Sequence, residues 1–285
     1  MIEIVAPGPL CTVQDGGREG WAHLGVGRSG AADRSAFDLA NRLVGNPVGA
    51  AALECTFGGL RVRLHAAALV ALTGAECDVA VETGPPIGFR QPTAVPAGAS
   101  FTLRPPDRGL RTYLALRGGI DVAPVMGSRS TDLLNGLGPP PLAAGVVLPI
   151  GSDPGTPIPT EYAPPTAGHE WPISIWPGPR RDWFSAAAHL TLVRSPYVVL
   201  PTSNRIGVRL SGVELERTVN RELPSEGIVE GAIQVPNDGQ PLVFLADHPT
   251  TGGYPVIAVV DPPELGRVAQ SRPGDTLRFR WMREP

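Results

Sequence analysis

The chain has 285 residues, 24 basic against 27 acidic side chains for a formal net charge of -3, and every cation is an arginine because the sequence contains no lysine. That absence excludes Schiff-base and PLP chemistry, a Walker A nucleotide site, a covalent biotin on this chain and the Ser-Ser-Lys amidases, each of which needs a lysine amine that a permanently protonated guanidinium cannot replace. With 42% hydrophobic and 18% charged residues the chain can bury a sizeable core, and its scattered arginines form no basic stripe for nucleic acid.

Taken in chain order, short apolar segments punctuated by Gly, Pro, Asn and Asp recur at 61–65, 68–73, 77–82, 100–104, 112–117, 173–176, 190–193, 228–235, 242–246, 256–260 and 276–281. Each has strand length, and close turn spacing of this kind predicts a mainly β fold of barrels or sandwiches rather than βαβ units. One helix is predicted over 33–44, where Ala36, Phe37, Ala40, Leu43 and Val44 recur at helical spacing, with Ser29 or Asp33 as cap and Gly45-Asn46-Pro47 as stop. Shorter helical turns are predicted at 182–190 and 263–270. Between about Gly138 and Pro172 the chain is dense in Pro and Gly, which reads as a linker or a long ordered excursion. This predicts two lobes, 1–165 including the Pro-rich stretch and 166–285.

Three cysteines, Cys11, Cys55 and Cys77, form no CxxC pair and suit reduced thiols. The N-terminus lacks a charged, apolar leader and no run has the length of a membrane span, so a cytoplasmic protein with no membrane partner is expected. The five histidines show no ligand spacing, and no metal site is expected on this chain.

Four polar clusters could carry chemistry. The loop Gln14-Asp15-Gly16-Gly17-Arg18, continued by Gly27-Arg28-Ser29-Gly30, could bring backbone amides and Arg18 or Arg28 to an anion, or could be a β turn in which Asp15 and Arg18 pair with each other. Ser128-Arg129-Ser130-Thr131 sets three hydroxyls around one arginine, suited to a carboxylate or phosphate, with a capped turn and a surface Arg129 as the alternative. In Ser203-Asn204-Arg205-Ile206-Gly207, Asn or Gly could hold a turn and Arg205 could meet a buried carboxylate. The densest set is Glu226, Gln234, Asp247 and the turn Thr250-Thr251-Gly252-Gly253-Tyr254. It could hold an amide or lactam, a carboxylate facing the N–H and an amide or backbone donor facing the carbonyl, or could simply satisfy strand-end backbone groups.

The ordered series TVQDGGREGW, GVGRSGAAD, ANRLVGN, ALECTFGG, YLALRGGIDV, GSRST, SNRIGVRL, SEGIVEGAIQVPNDGQPL and TTGGYPVIAVV resembles the family variously named allophanate hydrolase subunit 2, KipA, biotin-dependent carboxyltransferase domain and the C subunit of 5-oxoprolinase. The resemblance runs from about Thr12 to Gln270. It implies two cyclophilin-like β-barrel lobes, a KipI or allophanate hydrolase subunit 1-type partner, and a third lactam-utilisation-type subunit. The implied function is an ATP-dependent 5-oxoprolinase opening pyroglutamate to glutamate, with ATP and magnesium used in the complex and this subunit inactive or weak alone. Two alternatives are a regulator that binds and antagonises a KipI-like kinase inhibitor, and a carboxyltransferase component acting on a urea-like amide with biotin carried elsewhere.

The resemblance puts Gln234, Thr251, Gly252, Gly253 and Tyr254 against a small-molecule lactam or amide, with Arg129, Ser128, Ser130 and Thr131 as an anion clamp. Gln14, Asp15, Arg18, Asn204, Arg205, Glu226 and Asp247 are further candidates. Two departures stand out. The segment after Thr131 lacks an arginine usual in the family, and His248 stands where the family has arginine, so cation strength there is expected to depend on pH near neutrality.

Overall fold

The computed structural model describes residues 1–156, 162–163 and 172–282. They form a mainly β protein with, among the described residues, three short α-helices, α1 (Arg34–Leu43), α2 (Ala186–Arg194) and α3 (Leu265–Ala269). The chain divides into two compact units. One holds Met1–Glu19, Ser29–Asp132 and the described part of 136–167; the other holds Gly20–Arg28, Leu133–Asn135 and the described part of 168–285.

In the first unit two five-stranded antiparallel sheets face each other. One is ordered Val147–Leu148, Ile2–Pro7, Leu60–Leu64, Ser100–Leu103, Val79–Thr83; the other is ordered Leu10–Gln14, Ala52–Thr56, Arg111–Leu116, Ala68–Gly74, Pro92–Val95. Their inner faces supply one core, with Ile2, Ile4, Val62, Leu64 and Phe101 meeting Val13, Leu53, Val70, Leu72 and Leu114. The outer face of the second sheet is covered by α1, whose Phe37, Ala40 and Leu43 pack on Ala52, Ala71, Tyr113 and Ala115. Strand Arg111–Leu116 is therefore buried on both faces along its whole length, which removes the alternation a half-exposed strand would show. The helix starts where predicted: Asp33, not Ser29, is the cap, its side chain accepting from Ala36 N at 3.1 Å, and Gly45 at φ 68° follows the end.

The second unit is built on an eight-stranded sheet ordered Thr276–Leu277, Tyr197–Val199, Gly207–Ser211, Leu242–Phe244, Ala232–Gln234, Val256–Val260, Ile173–Pro177, Phe279–Trp281. A two-stranded ribbon, Glu226–Gly227 with Thr251–Gly252, stands apart from it.

Three predicted elements come out differently. The run 190–193, read as a strand, is the last part of α2, because Ser185 caps an Ala-rich start and accepts from Ala188 N at 3.1 Å. The run 276–281 breaks at Arg278, whose carbonyl accepts from Ile173 N at 2.7 Å. In the Pro/Gly-dense stretch, 138–156 is an ordered excursion of the first unit: Leu142 N donates to Cys11 O at 2.8 Å, Leu148 pairs with Ile2, and Arg117 holds Asp153 at 2.7 Å. Most of its remainder lies outside the described residues.

Candidate functional site

In the second unit the strand register gathers most of the predicted lactam-facing residues. Glu226 pairs with Gly252 and Gly227 with Thr251, which sets the Thr-Gly-Gly-Tyr turn beside Glu226. Gln234 pairs with Val256 on the neighbouring main-sheet strand, and its Nε2 donates to Tyr254 O at 2.9 Å. A Cβ added to Gly252 would lie 2.8 Å from that Nε2, so only glycine allows the turn to approach the Gln234 amide this closely. With Nε2 committed, Gln234 Oε1 is the end left to accept a hydrogen bond. The N–H groups of Gly253 and Tyr254 have no hydrogen-bond acceptor among the described residues. Thr251, Gly253 and Tyr254 are exposed.

Sequence reasoning missed Arg180. It follows Gly178-Pro179 at the end of strand Ile173–Pro177, and its N–H donates to Val256 O at 3.1 Å. Its guanidinium forks onto Glu226, with Nε to Oε2 at 2.9 Å and a second contact from Nη2 to Oε1. This ion pair holds the Glu226 carboxyl below the usual carboxylate range and raises Arg180. The links close into a ring: Arg180 to Val256, Val256 to Gln234, Gln234 to Gly252, Gly252 to Glu226, and Glu226 back to Arg180. No local signal marked Arg180, because its partner lies 46 positions away.

Beside this ring, Arg205 and Asp247 form the buried pair expected of Arg205, with Nε to Oδ2 at 2.9 Å and Nη2 to Oδ1 at 3.1 Å and side chains 1% and 0% exposed. Asp247 Oδ2 also accepts from Leu133 N at 3.2 Å. Asn204 shapes the preceding turn, its Oδ1 accepting from Ile206 N at 2.8 Å. These side chains hold the chain that leads into Thr250. His248, against the Phe244 ring, is largely buried, and desolvation pushes its pKa down despite acceptance by Pro249 O and the nearby Asp247. The near-neutral titration expected there is therefore displaced to lower pH. A separate cavity of about 330 Å³ between Pro177, Arg181, His189, Trp281 and Met282 contains none of the predicted residues.

In the first unit, Gln14, Asp15, Arg18 and Ser128–Thr131 are brought together, and most of their polar atoms are spent on one another. Asp15 Oδ1 accepts from Ser128 Oγ and Ser130 Oγ, each at 2.6 Å, and from Gly17 N at 2.8 Å; Oδ2 accepts from Arg129 N at 2.5 Å. The anion met by these hydroxyls is thus the chain's own Asp15. Arg129 points away, its side chain holding Val122 O at 2.7 Å and Asp121 at 2.9 Å near the surface. Arg18 pairs with Asp132 at 3.4 Å and donates to Ser130 O at 2.5 Å rather than meeting Asp15. Gln14 Oε1, Arg18 Nε and Thr131 Oγ1 are buried without a hydrogen-bond partner among the described residues.

Neither unit's described residues include a group of three His, Cys, Asp or Glu side chains placed to hold a metal. The buried arginines Arg18, Arg111 and Arg205 each face a carboxylate. No helix among the described residues is long and apolar enough to cross a membrane.

The geometry meets independent likenesses in sequence and structure. The chain is 41% identical to the C subunit of 5-oxoprolinase from Escherichia coli (strain K12) across 98% of its own length and 90% of that protein. It superposes on the crystal structure of Kluyveromyces lactis urea carboxylase with a TM-score of 0.89 at 32% identity, over 98% of this chain but 27% of that one. On the crystal structure of TTHA0988 the TM-score is 0.88 at 35% identity, and the chain spans 55% of that longer chain. Residues 24–281 match the family described as carboxyltransferase domain, subdomain A and B, and the chain belongs to that family.

Proposed function

We propose that this chain is one subunit of a heteromeric, ATP-dependent 5-oxoprolinase that opens 5-oxoproline to glutamate with a KipI-type partner and a third, lactam-utilisation-type subunit. The observation that carries the reading is the Arg180–Val256–Gln234–Gly252–Glu226 ring. It sets one open amide oxygen, one cation and two unpartnered backbone N–H groups around a glycine turn. A lactam offers the complement, an N–H for Gln234 Oε1 and a carbonyl oxygen for the Gly253 and Tyr254 N–H groups. The likeness to the C subunit of a 5-oxoprolinase supports the same reading.

Opening an unstrained lactam needs an activated carbonyl, and ATP supplies that by phosphorylating the lactam oxygen. This chain's own part is to bind and orient the ring and to stabilise charge on its oxygen. The nucleotide phosphates are assigned to a partner, since this chain has no lysine to meet them. The test is 5-oxoproline-dependent ATP hydrolysis by the reconstituted subunits. A rate above that of the partners alone is expected, and it should fall in Gly252→Ala, whose methyl displaces the Gln234 amide. No rate above the partners alone would overturn the proposal.

The likeness to urea carboxylase favours a second reading, carboxyl transfer to a urea-like amide. Biotin would then ride on another chain or domain, because these 285 residues offer no attachment lysine. Urea-dependent turnover with a biotinylated carrier, and none with 5-oxoproline, would select it.

A further inference from the structure

We propose that Arg180 is the residue by which this site selects a carboxylate-bearing lactam, and that Glu226 occupies its guanidinium until such a ligand arrives. The inference deepens the lactam-opening reading and rests on it. Gly178 packs so closely on the sheet that an added Cβ would lie 2.4 Å from Val256 O, and Arg180 N donates to the same carbonyl at 3.1 Å. The backbone beneath Arg180 is thereby fixed to the strand that also carries Gln234's register partner. Its side chain alone is left to move.

Two arginine–carboxylate forks of this unit differ in one decisive respect. Arg205–Asp247 is sealed, with side chains 1% and 0% exposed, whereas Arg180–Glu226 is open to solvent at 37% and 29%. A pair exposed to this degree is held only weakly, because solvent screens it. Exchanging the Glu226 carboxylate for another one of the same fork geometry therefore costs little. A lactam whose carboxylate sits on the carbon bonded to the ring nitrogen presents its N–H and its carboxylate along one edge. Gln234, by strand register, and Arg180, through its N–H, both meet Val256, so an acceptor and a cation are carried on backbone tied to the same residue. Urea, neutral and without a carboxylate, would leave Arg180 on Glu226 and gain nothing from it.

The experiment compares wild type, Arg180→Gln and Glu226→Gln in the assembled subunits, with 2-pyrrolidinone, the same ring without the carboxylate, as competitor. Arg180→Gln is expected to raise KM for 5-oxoproline about tenfold or more, with kcat within about threefold and the inhibition constant of 2-pyrrolidinone unchanged. Glu226→Gln should lower KM for 5-oxoproline, because it removes the internal competitor; a merely structural role for the pair would weaken binding in both variants. An unchanged KM in Arg180→Gln, or parallel loss for both ligands, overturns the inference while leaving the 5-oxoprolinase reading intact. Should the wild-type assembly turn over no lactam, that reading fails, and titration of the isolated full chain by NMR decides the inference separately. Tighter binding of 5-oxoproline than of 2-pyrrolidinone, abolished in Arg180→Gln, supports it, and equal binding of the two overturns it.

Discussion

Asp247 owes its fixed position to Arg205, whose guanidinium meets it in a fork sealed from solvent, with one more bond from Leu133 N. Removing one member of a buried pair strands the other charge, so Arg205→Met is expected to cost about 3–5 kcal/mol, read from urea denaturation. The double change Arg205→Met with Asp247→Leu should recover most of that loss, because apolar replacement of both partners is near neutral; a double variant as unstable as the single one would refute the pairing argument. His248, the next residue, acts through protons. Burial lowers its pKa below the unfolded value near 6.5, so above that pH the ring is neutral in both states. As pH falls through 6.5 the unfolded chain takes up a proton that the folded chain resists, and stability is lost until the folded pKa is reached. Wild type should therefore lose more stability than His248→Gln between about pH 7.5 and 5.5. Equal losses would show that His248 does not titrate differently on folding.

At the scale of elements, α1 shows what the sequence makes legible. Its apolar spacing, cap and stop are all local, and the helix forms where they place it. The cap is tied further into the sheet: Asp33 N donates to Tyr113 Oη at 2.7 Å, Tyr113 Oη donates to Glu54 at 2.8 Å, and Ala32 N donates to the same Glu54 oxygen at 3.0 Å. Asp33→Ala removes the Ala36 cap bond and leaves this tether in place, so it should cost about 1 kcal/mol, measured by chemical denaturation; no loss would mean that the Glu54–Tyr113 tether alone sets the helix start. Strands Leu10–Gln14 and Ala52–Thr56 escaped the sequence reading for a physical reason. They bury Thr12, Gln14 and Glu54, so no apolar run announces them. The Thr-Gly-Gly-Tyr turn and Arg205's need for a carboxylate were legible because turn chemistry and buried charge are local demands. The Ser128 and Ser130 bonds to Asp15 were not, since they span 113 and 115 positions and turn an apparent anion clamp into an internal one.

For the whole molecule, the distribution of two residue types provides independent reporters. All three cysteines fall in the first unit, Cys11 and Cys55 fully buried, with burial pushing Cys55 to about 12 and Cys77 to about 11. Trp21, Trp176, Trp183 and Trp281 all fall in the second. A thiolate-seeking aromatic disulfide at about pH 8 should thus label Cys77 slowly in the native chain and reach Cys11 and Cys55 only after the first unit opens. Fluorescence follows the second unit instead. Among the described residues the backbone crosses between units at 19–20, 28–29, 132–133 and 135–136. The crossing ends are anchored: Arg18 pairs with Asp132 in the first unit, and the adjoining Leu133 donates to Asp247 in the second. Losing either unit's structure releases an anchor that the other needs, so the urea midpoints from Cys11 and Cys55 labelling and from tryptophan fluorescence are expected to coincide. Two separated midpoints would show that the units unfold independently despite sharing these crossings.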